Sequence, residues 1–308
     1  MIAHYVAVLA LVAVTLPASC VANNTMTKNL KVLVSSNDFP ASGLKTKEDL
    51  LKLIPGCSAL VWLSHHPITK ELLDRAAGYN HCNLDELKAR GIKLSNTPNV
   101  LASAVAEIAV GLMLGAARRF TENLDQVLGQ DIRGSTVGII GLGGIGQAVV
   151  KRLAGFEVSK FVYTGHREKP EAKALGAEFV TQDQLLAQSD FIVLAVPLTN
   201  ETKHMINKET IGKMKSNAIV VNVGRGDLVD QEALYDALKN KQIYAAGLDV
   251  TTPEPLPKDH KLLTLPNFFL LPHIGSATVR TRSDMAVLAA NNVVNALTGK
   301  PLLTPVNL

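Results

Sequence analysis

Three side chains with useful chemistry, Arg225, Glu254 and His273, each stand just after an apolar run that reads as a strand. An imidazole titrates near pH 6.5, so His273 can hold or release a proton close to neutrality. A carboxylate such as Glu254 can fix the ring in one tautomer and stabilise its protonated form. Arg225 offers a planar fork of donors that suits a carboxylate. Taken singly, each has a plainer reading: a loop histidine after a proline, an exposed acid between two prolines, an arginine at a turn. Together they suit the delivery of a proton to an oxygen whose carbon receives a hydride.

A source of hydride is suggested upstream by Gly141-Leu142-Gly143-Gly144-Ile145-Gly146, set directly behind the apolar run Thr136–Ile140. In a strand–turn–helix of this kind Gly141 allows the sharp turn. Gly143 lets backbone approach a pyrophosphate, and Gly146 lets helix and strand pack closely. The following helix would present free N–H groups and a partial positive charge to the phosphates. Ile145, Val149, Val150 and Leu153 recur at helical spacing, which puts the glycines in the right context. An acid about 20 positions on would mark NAD. The next strand, Lys160–Thr164, is instead followed by Gly165, His166 and Arg167, with no carboxylate before Glu168. Thr164 and Arg167 could meet a 2′-phosphate, so NADPH is the expected cofactor, with NADH possible.

The elements that must position these residues alternate from Thr136 onward. Strands are predicted at 136–140, 160–164, 190–196, 218–223, 243–248 and 268–271, with helical stretches between them, Asn207–Met214 and Asp230–Leu238 among these. The pattern implies βαβ units and a parallel sheet, a doubly wound α/β fold. Val279–Leu297 reads as a long closing helix, and Leu101–Ala117 as a helix joining two domains. Upstream, Lys31–Val34, Ala59–Leu63 and Ile92–Ser95 read as strands of a smaller unit. There two helices, Thr69–Ala77 and Leu84–Arg90, follow one another where a strand is expected. Direct pairing of 59–63 with 92–95 would close that gap.

The chain has 308 residues, 47% hydrophobic, with a net charge of +4. Basic residues are scattered, which argues against a nucleic-acid partner. Cys20, Cys57 and Cys82 show no metal spacing and no CxxC, so reduced thiols and no metal are expected. His65 and His66 lie at a strand end where substrate contacts are common, though such pairs are usually solvated. Val6–Leu16 followed by small residues resembles a signal-peptide core, too short to span a bilayer comfortably. No Lys or Arg precedes it, and Met26 offers a second start just before the first strand. The domain reading is a leader over 1–26, signal-like or untranslated; a substrate domain over 27–99 with a C-terminal return over 285–308; and a dinucleotide domain over 100–284. The expected location is cytoplasmic, or the secretory pathway if residues 1–22 act as a signal.

Several segments in a fixed order then resemble the D-2-hydroxyacid dehydrogenase family, most closely its glyoxylate- and hydroxypyruvate-reducing branch. They are Gly141–Gly146, Val196-Pro197-Leu198-Thr199, Asn222–Gly226, Gly247–Val250, Pro253-Glu254-Pro255 and Pro272–Thr278. The resemblance implies a Rossmann domain with a flavodoxin-like substrate domain, a homodimer, and a small 2-keto or 2-hydroxy acid as substrate. It implies that Arg225, Glu254 and His273 are catalytic. Gly141, Gly143, Gly144, Ile145, Gly146, Thr164, Arg167, Pro197, Asp249 and Gly275 would bind the dinucleotide, Asp249 facing the nicotinamide carboxamide. Two segments of the family pattern are missing. One is a strand with its substrate loop before Tyr79-Asn80-His81. The other is a longer, tryptophan-containing stretch between Arg119 and Ser135 that shapes the family's substrate pocket and dimer. A dinucleotide-binding variant with impaired turnover is therefore the alternative reading.

Overall fold

The computed structural model describes residues 11–14, 32–35, 59–62, 88–89, 93–120 and 128–306. The chain divides into two compact units, residues 102–275 and residues 1–101 with 276–308.

In the smaller unit, four strands are β1 (Leu11–Val14), β2 (Val32–Ser35), β3 (Ala59–Trp62) and β4 (Lys93–Ser95), in the order β2-β3-β1-β4. β2 and β3 are parallel. β1 runs antiparallel to both of its neighbours, with Leu11 opposite Trp62 and Val12 opposite Ser95. This corrects the expected direct pairing of 59–63 with 92–95. Four residues of the apolar leader stand between those strands and carry their ladders. The predicted helices at 69–77 and 84–90 lie outside the described residues apart from a helical turn at 88–89.

The long closing helix spans Val279–Leu297 as predicted, started by Thr278, whose Oγ1 accepts the Thr281 N–H at 3.1 Å. Beyond it the chain returns beside β4, where the Val306 N–H donates to Leu94 O at 2.9 Å. Fully buried Asn292 secures that return: it accepts from Leu303 N and Thr304 N and donates to Thr304 Oγ1.

The larger unit opens on α1 (Ala102–Ala117), rich in Ala and Gly, and continues through β5 (Thr136–Ile140) and α2 (Gly144–Leu153). Then come β6 (Lys160–Thr164), α3 (Glu171–Ala174), β7 (Ala177–Phe179), α4 (Gln182–Gln188) and β8 (Phe191–Leu194). The unit closes with α5 (Lys208–Ile211), β9 (Ile219–Asn222), α6 (Gln231–Lys239), β10 (Ala245–Leu248) and β11 (Phe268–Leu270); the closing helix of the smaller unit is α7. The seven strands are all parallel, in the order β11-β10-β9-β8-β5-β6-β7. Every residue of β8, β9 and β10 is buried, as strands covered on both faces require. α1 lies close to the sheet because its partners are small: a Cβ on Gly247 would come within 3.0 Å of the Leu112 carbonyl.

Two details depart from the sequence reading. β7 is not among the predicted strands; it is a three-residue edge strand with two exposed side chains, too short to stand out. The helix expected over 207–214 is a single turn, because beyond Ile211 the chain passes Gly212 and tightens. Lys213 N bonds Thr210 O and Met214 N bonds Ile211 O.

The order of strands reverses between β5 and β8. From β5 the chain winds outward to β6 and β7, then returns to β8 and winds the other way. In open parallel sheets, ligands bind at the carboxyl ends of the strands at such a switch point.

Candidate active site

At that switch point, β5 turns into α2 through the glycines. Gly141 has φ +98° and donates its N–H to Thr164 O at 3.0 Å. A Cβ there would meet Ala195 O at 2.8 Å, and one on Gly146 would overlap the Gly141 carbonyl. Both glycines are therefore required by the packing of β5, α2 and the β8 end. Gly143 is different: a Cβ on it meets nothing within 4 Å. It is exposed with Gly144 at the start of α2, beside half-buried Ile145, and no side chain caps that helix terminus. An open glycine edge leading to an uncapped helix N-terminus fits a pyrophosphate. Thr164 ends β6 half-buried, and Arg167 is exposed three residues on. Pro197, beyond β8, is exposed in a turn closed by Thr202, whose Oγ1 donates to Pro197 O at 2.8 Å.

The chemistry-bearing residues lie at the ends of β9 and β10 and in the segment after β11. Asn222, the last residue of β9 and fully buried, folds the turn that follows. Its Oδ1 accepts Gly224 N at 3.0 Å and its Nδ2 donates to Arg225 O at 2.8 Å. Arg225 leaves this turn half-buried and donates to Gly224 O at 2.8 Å. Burial pushes its guanidinium below the usual arginine range, and the charge of Glu254 pulls it back up.

Glu254 and His273 form a pair, with Nδ1 of the ring 2.8 Å from Oε2 of the carboxylate. The other carboxylate oxygen, Oε1, accepts the Thr251 N–H at 3.0 Å. Both oxygens are thereby committed, one to backbone and one to the ring. His273 has φ +54°, an uncommon backbone for a residue with a Cβ.

Asp249 holds the histidine in that conformation. Its carbonyl accepts His273 N, Oδ1 accepts Ile274 N and Oδ2 accepts Gly275 N, each at 2.8 Å. The carboxylate expected to face a carboxamide thus has both oxygens on the histidine loop. Burial pushes Asp249 above the usual carboxylate range. The two N–H bonds and the nearby His273 oppose that shift, while Glu254 adds to it. Gly275 is buried against Asp249 and Val105, where a Cβ would come within 3.0 Å of Asp249 Oδ2.

Arg225, Glu254 and His273 are therefore brought together with Asp249, and the loops carrying Arg225 and Glu254 touch. A Cβ on Gly226 would overlap the Thr251 carbonyl. His65 and His66 lie outside the described residues. The role of Asn222 escaped sequence reading although it opens the Asn222–Gly226 motif; a buried polar residue closing an apolar strand was its available signal.

Comparison with known proteins identifies the family. A family model described as the D-isomer specific 2-hydroxyacid dehydrogenase, NAD binding domain, matches residues 109–275. Glyoxylate reductase/hydroxypyruvate reductase of Homo sapiens is 45% identical over 286 residues, covering 85% of this chain and 87% of the relative. Glyoxylate/hydroxypyruvate reductase B of Yersinia pestis is 40% identical over 285 residues, covering 88% and 83%. Among solved structures, the TT0316 protein from Thermus thermophilus superposes with a TM-score of 0.77 at 37% identity, covering 86% of this chain and 91% of that one.

Proposed function

The chain belongs to the D-isomer-specific 2-hydroxyacid dehydrogenases, oxidoreductases that use a nicotinamide dinucleotide, and from that premise we propose that it reduces glyoxylate and hydroxypyruvate with NADPH. The observation that carries the reading is the 2.8 Å contact between His273 Nδ1 and Glu254 Oε2. In this reading the Nδ1–H donates to the Glu254 carboxylate, which leaves Nε2 for the substrate.

Gly143, Gly144 and Ile145 would hold the pyrophosphate on the turn that Gly141 and Gly146 shape, and Thr164 and Arg167 the ribose side of the adenosine. Bound there, the dihydronicotinamide supplies a hydride for the carbonyl carbon of a 2-keto acid. Arg225 grips the substrate carboxylate and polarises the carbonyl. His273 gives the Nε2 proton to the carbonyl oxygen, so that hydride and proton together yield the 2-hydroxy acid. Glu254 stabilises the imidazolium from which that proton leaves. A positive guanidinium suits this task, and Glu254 favours the charged form of Arg225 against the effect of burial.

The NADPH preference is supported by the run Thr164-Gly165-His166-Arg167, which carries no acid to meet a ribose 2′-hydroxyl. A homodimer is the family's assembly; Phe120 and Leu128, 67% and 91% exposed, are apolar side chains that such an interface would cover. A cytosolic location would give the enzyme its NADPH, which a secreted one would lack, and a place for Leu11–Val14 within a sheet favours keeping the leader.

Purified full-length protein should oxidise NADPH on addition of hydroxypyruvate or glyoxylate. It should also bind NADPH more tightly than NADH, with Arg167→Ala losing most of the difference. Normal NADPH binding without turnover would favour the impaired dinucleotide-binding variant. Equal affinity for the two cofactors would overturn the NADPH assignment.

A further inference from the structure

Glu254 sits in a loop, residues 251–254, that belongs to neither strand nor helix. Its internal bonds, Thr251 N to Glu254 Oε1 and Thr251 Oγ1 to Pro253 O, shape the loop but do not fix it to the rest of the unit. A further bond pair does so from another element. Gln231, the first residue of α6, accepts the Thr252 N–H on Oε1 at 2.9 Å and donates from Nε2 to Thr252 O at 2.6 Å. The primary amide has both a donor and an acceptor, and only one of its two orientations satisfies Thr252 at both ends. The result is a two-point clasp on the backbone two residues before Glu254.

The base of the clasp is firm. Asp230 caps α6 by accepting Glu232 N and Ala233 N, and its own N–H bonds Ile206 O at 2.8 Å. Leu234, Ala237 and Leu238 bury the helix against the core. The segment from Arg225 to Gln231 is short and continuous, passing through the tight turn Gly226–Leu228. Gly226, at its start, packs against the Thr251 carbonyl. One connection therefore presents Arg225 and anchors the loop that carries Glu254.

We propose that Gln231 is a positioning residue for proton transfer, holding Glu254 against His273 through the backbone of Thr252. The proposal rests on the reading of Glu254 and His273 as the proton-transfer pair. Both polar atoms of the Gln231 amide bond the Thr252 backbone, so its loss is expected to act on the geometry of the pair and not on binding.

Gln231→Met keeps the side-chain stem and removes both hydrogen bonds. In the full-length protein its kcat for hydroxypyruvate should fall about 10- to 100-fold, as small misplacements of catalytic groups do. The KM for hydroxypyruvate and the Kd for NADPH should change by less than about twofold, the pattern of a lost transition-state interaction. Imidazole nitrogen NMR gives a second readout that needs no turnover. The His273 signals are identified by their absence in His273→Gln. In the parent they report a ring protonated at Nδ1, and in Gln231→Met they move toward the ordinary balance of tautomers. Were Gln231→Met to fail to fold, Gln231→Glu, which retains the acceptor for Thr252 N, takes its place in both measurements. A kcat within twofold of the parent together with unmoved ring signals would overturn the proposal. A parent without turnover would defeat the proposed activity alone; the ring signals would still decide whether Gln231 holds the pair, unmoved signals counting against it.

Discussion

In the proposed mechanism His273 acts at Nε2; its other nitrogen is engaged by Glu254 and its backbone is clamped by Asp249. Replacing the ring with an amide keeps a polar side chain but removes the titrating group. His273→Gln should lower kcat by about 100- to 10,000-fold, the usual contribution of a general acid–base group. NADPH affinity by fluorescence titration should stay near the parent value, because no residue of the glycine turn is disturbed. A variant retaining most of its rate would remove His273 from the mechanism. The three chemistry-bearing residues were legible in the sequence because each follows an apolar strand and each has a side chain suited to one task. What sequence could not give is who holds them. Asp249 lies 24 to 26 positions before the amides it accepts from, and Gln231 is 21 positions from Thr252, so neither partnership leaves a local pattern.

Asp190 shows how the sheet's own elements are tied together. It stands just before β8, accepts the N–H of Thr136 at the start of β5, and accepts from Lys215 and Asn217 before β9. Burial raises its pKa, but those three donors outweigh burial and the net shift is downward. A carboxyl depressed in the folded state adds stability that is fully present above its unfolded value, about 3.9. That increment is lost as pH falls through the folded value. Urea midpoints of the parent should therefore drop below about pH 4, and Asp190→Asn should flatten that part of the curve. Equal acid sensitivity in the two proteins would show that Asp190 is not the group responsible.

At the neighbouring turn, Gly146→Ala sets a Cβ into the Gly141 carbonyl. Overpacking of that kind costs about 1–3 kcal/mol, and the displaced turn should weaken NADPH binding in a titration. Strands β5 and β6 and helix α7 were read with their observed limits because long apolar runs or strong helical spacing define them. β7 was not, since its pairing with β6 depends on a neighbour brought there by the fold and not on its own sequence.

Residues 102–275 form a continuous unit with a large buried core, whereas the smaller unit depends on strands contributed from distant parts of the chain. Amide exchange should accordingly be slower at 136–140 and 219–222 than at 59–62 and 93–95. The smaller sheet was the least legible part, because a short apolar run near the start of a chain has the same composition whether it addresses a protein for export or lies in a sheet. Here Leu11–Val14 bonds to a neighbour on each side. Its removal would therefore strip partners from two strands at once. Unpaired edges are templates for pairing with other chains. A protein translated from Met26 should self-associate, visible as light scattering that grows with concentration, with faster exchange at Ala59–Trp62 and Lys93–Ser95. The assembly state of the parent, with unchanged exchange, would mean that β3 and β4 close on one another. If that self-association is seen, the segment that reads as an export signal would guard the folded chain against aggregation, and a signal peptidase that removed it would release a molecule with two adhesive edges.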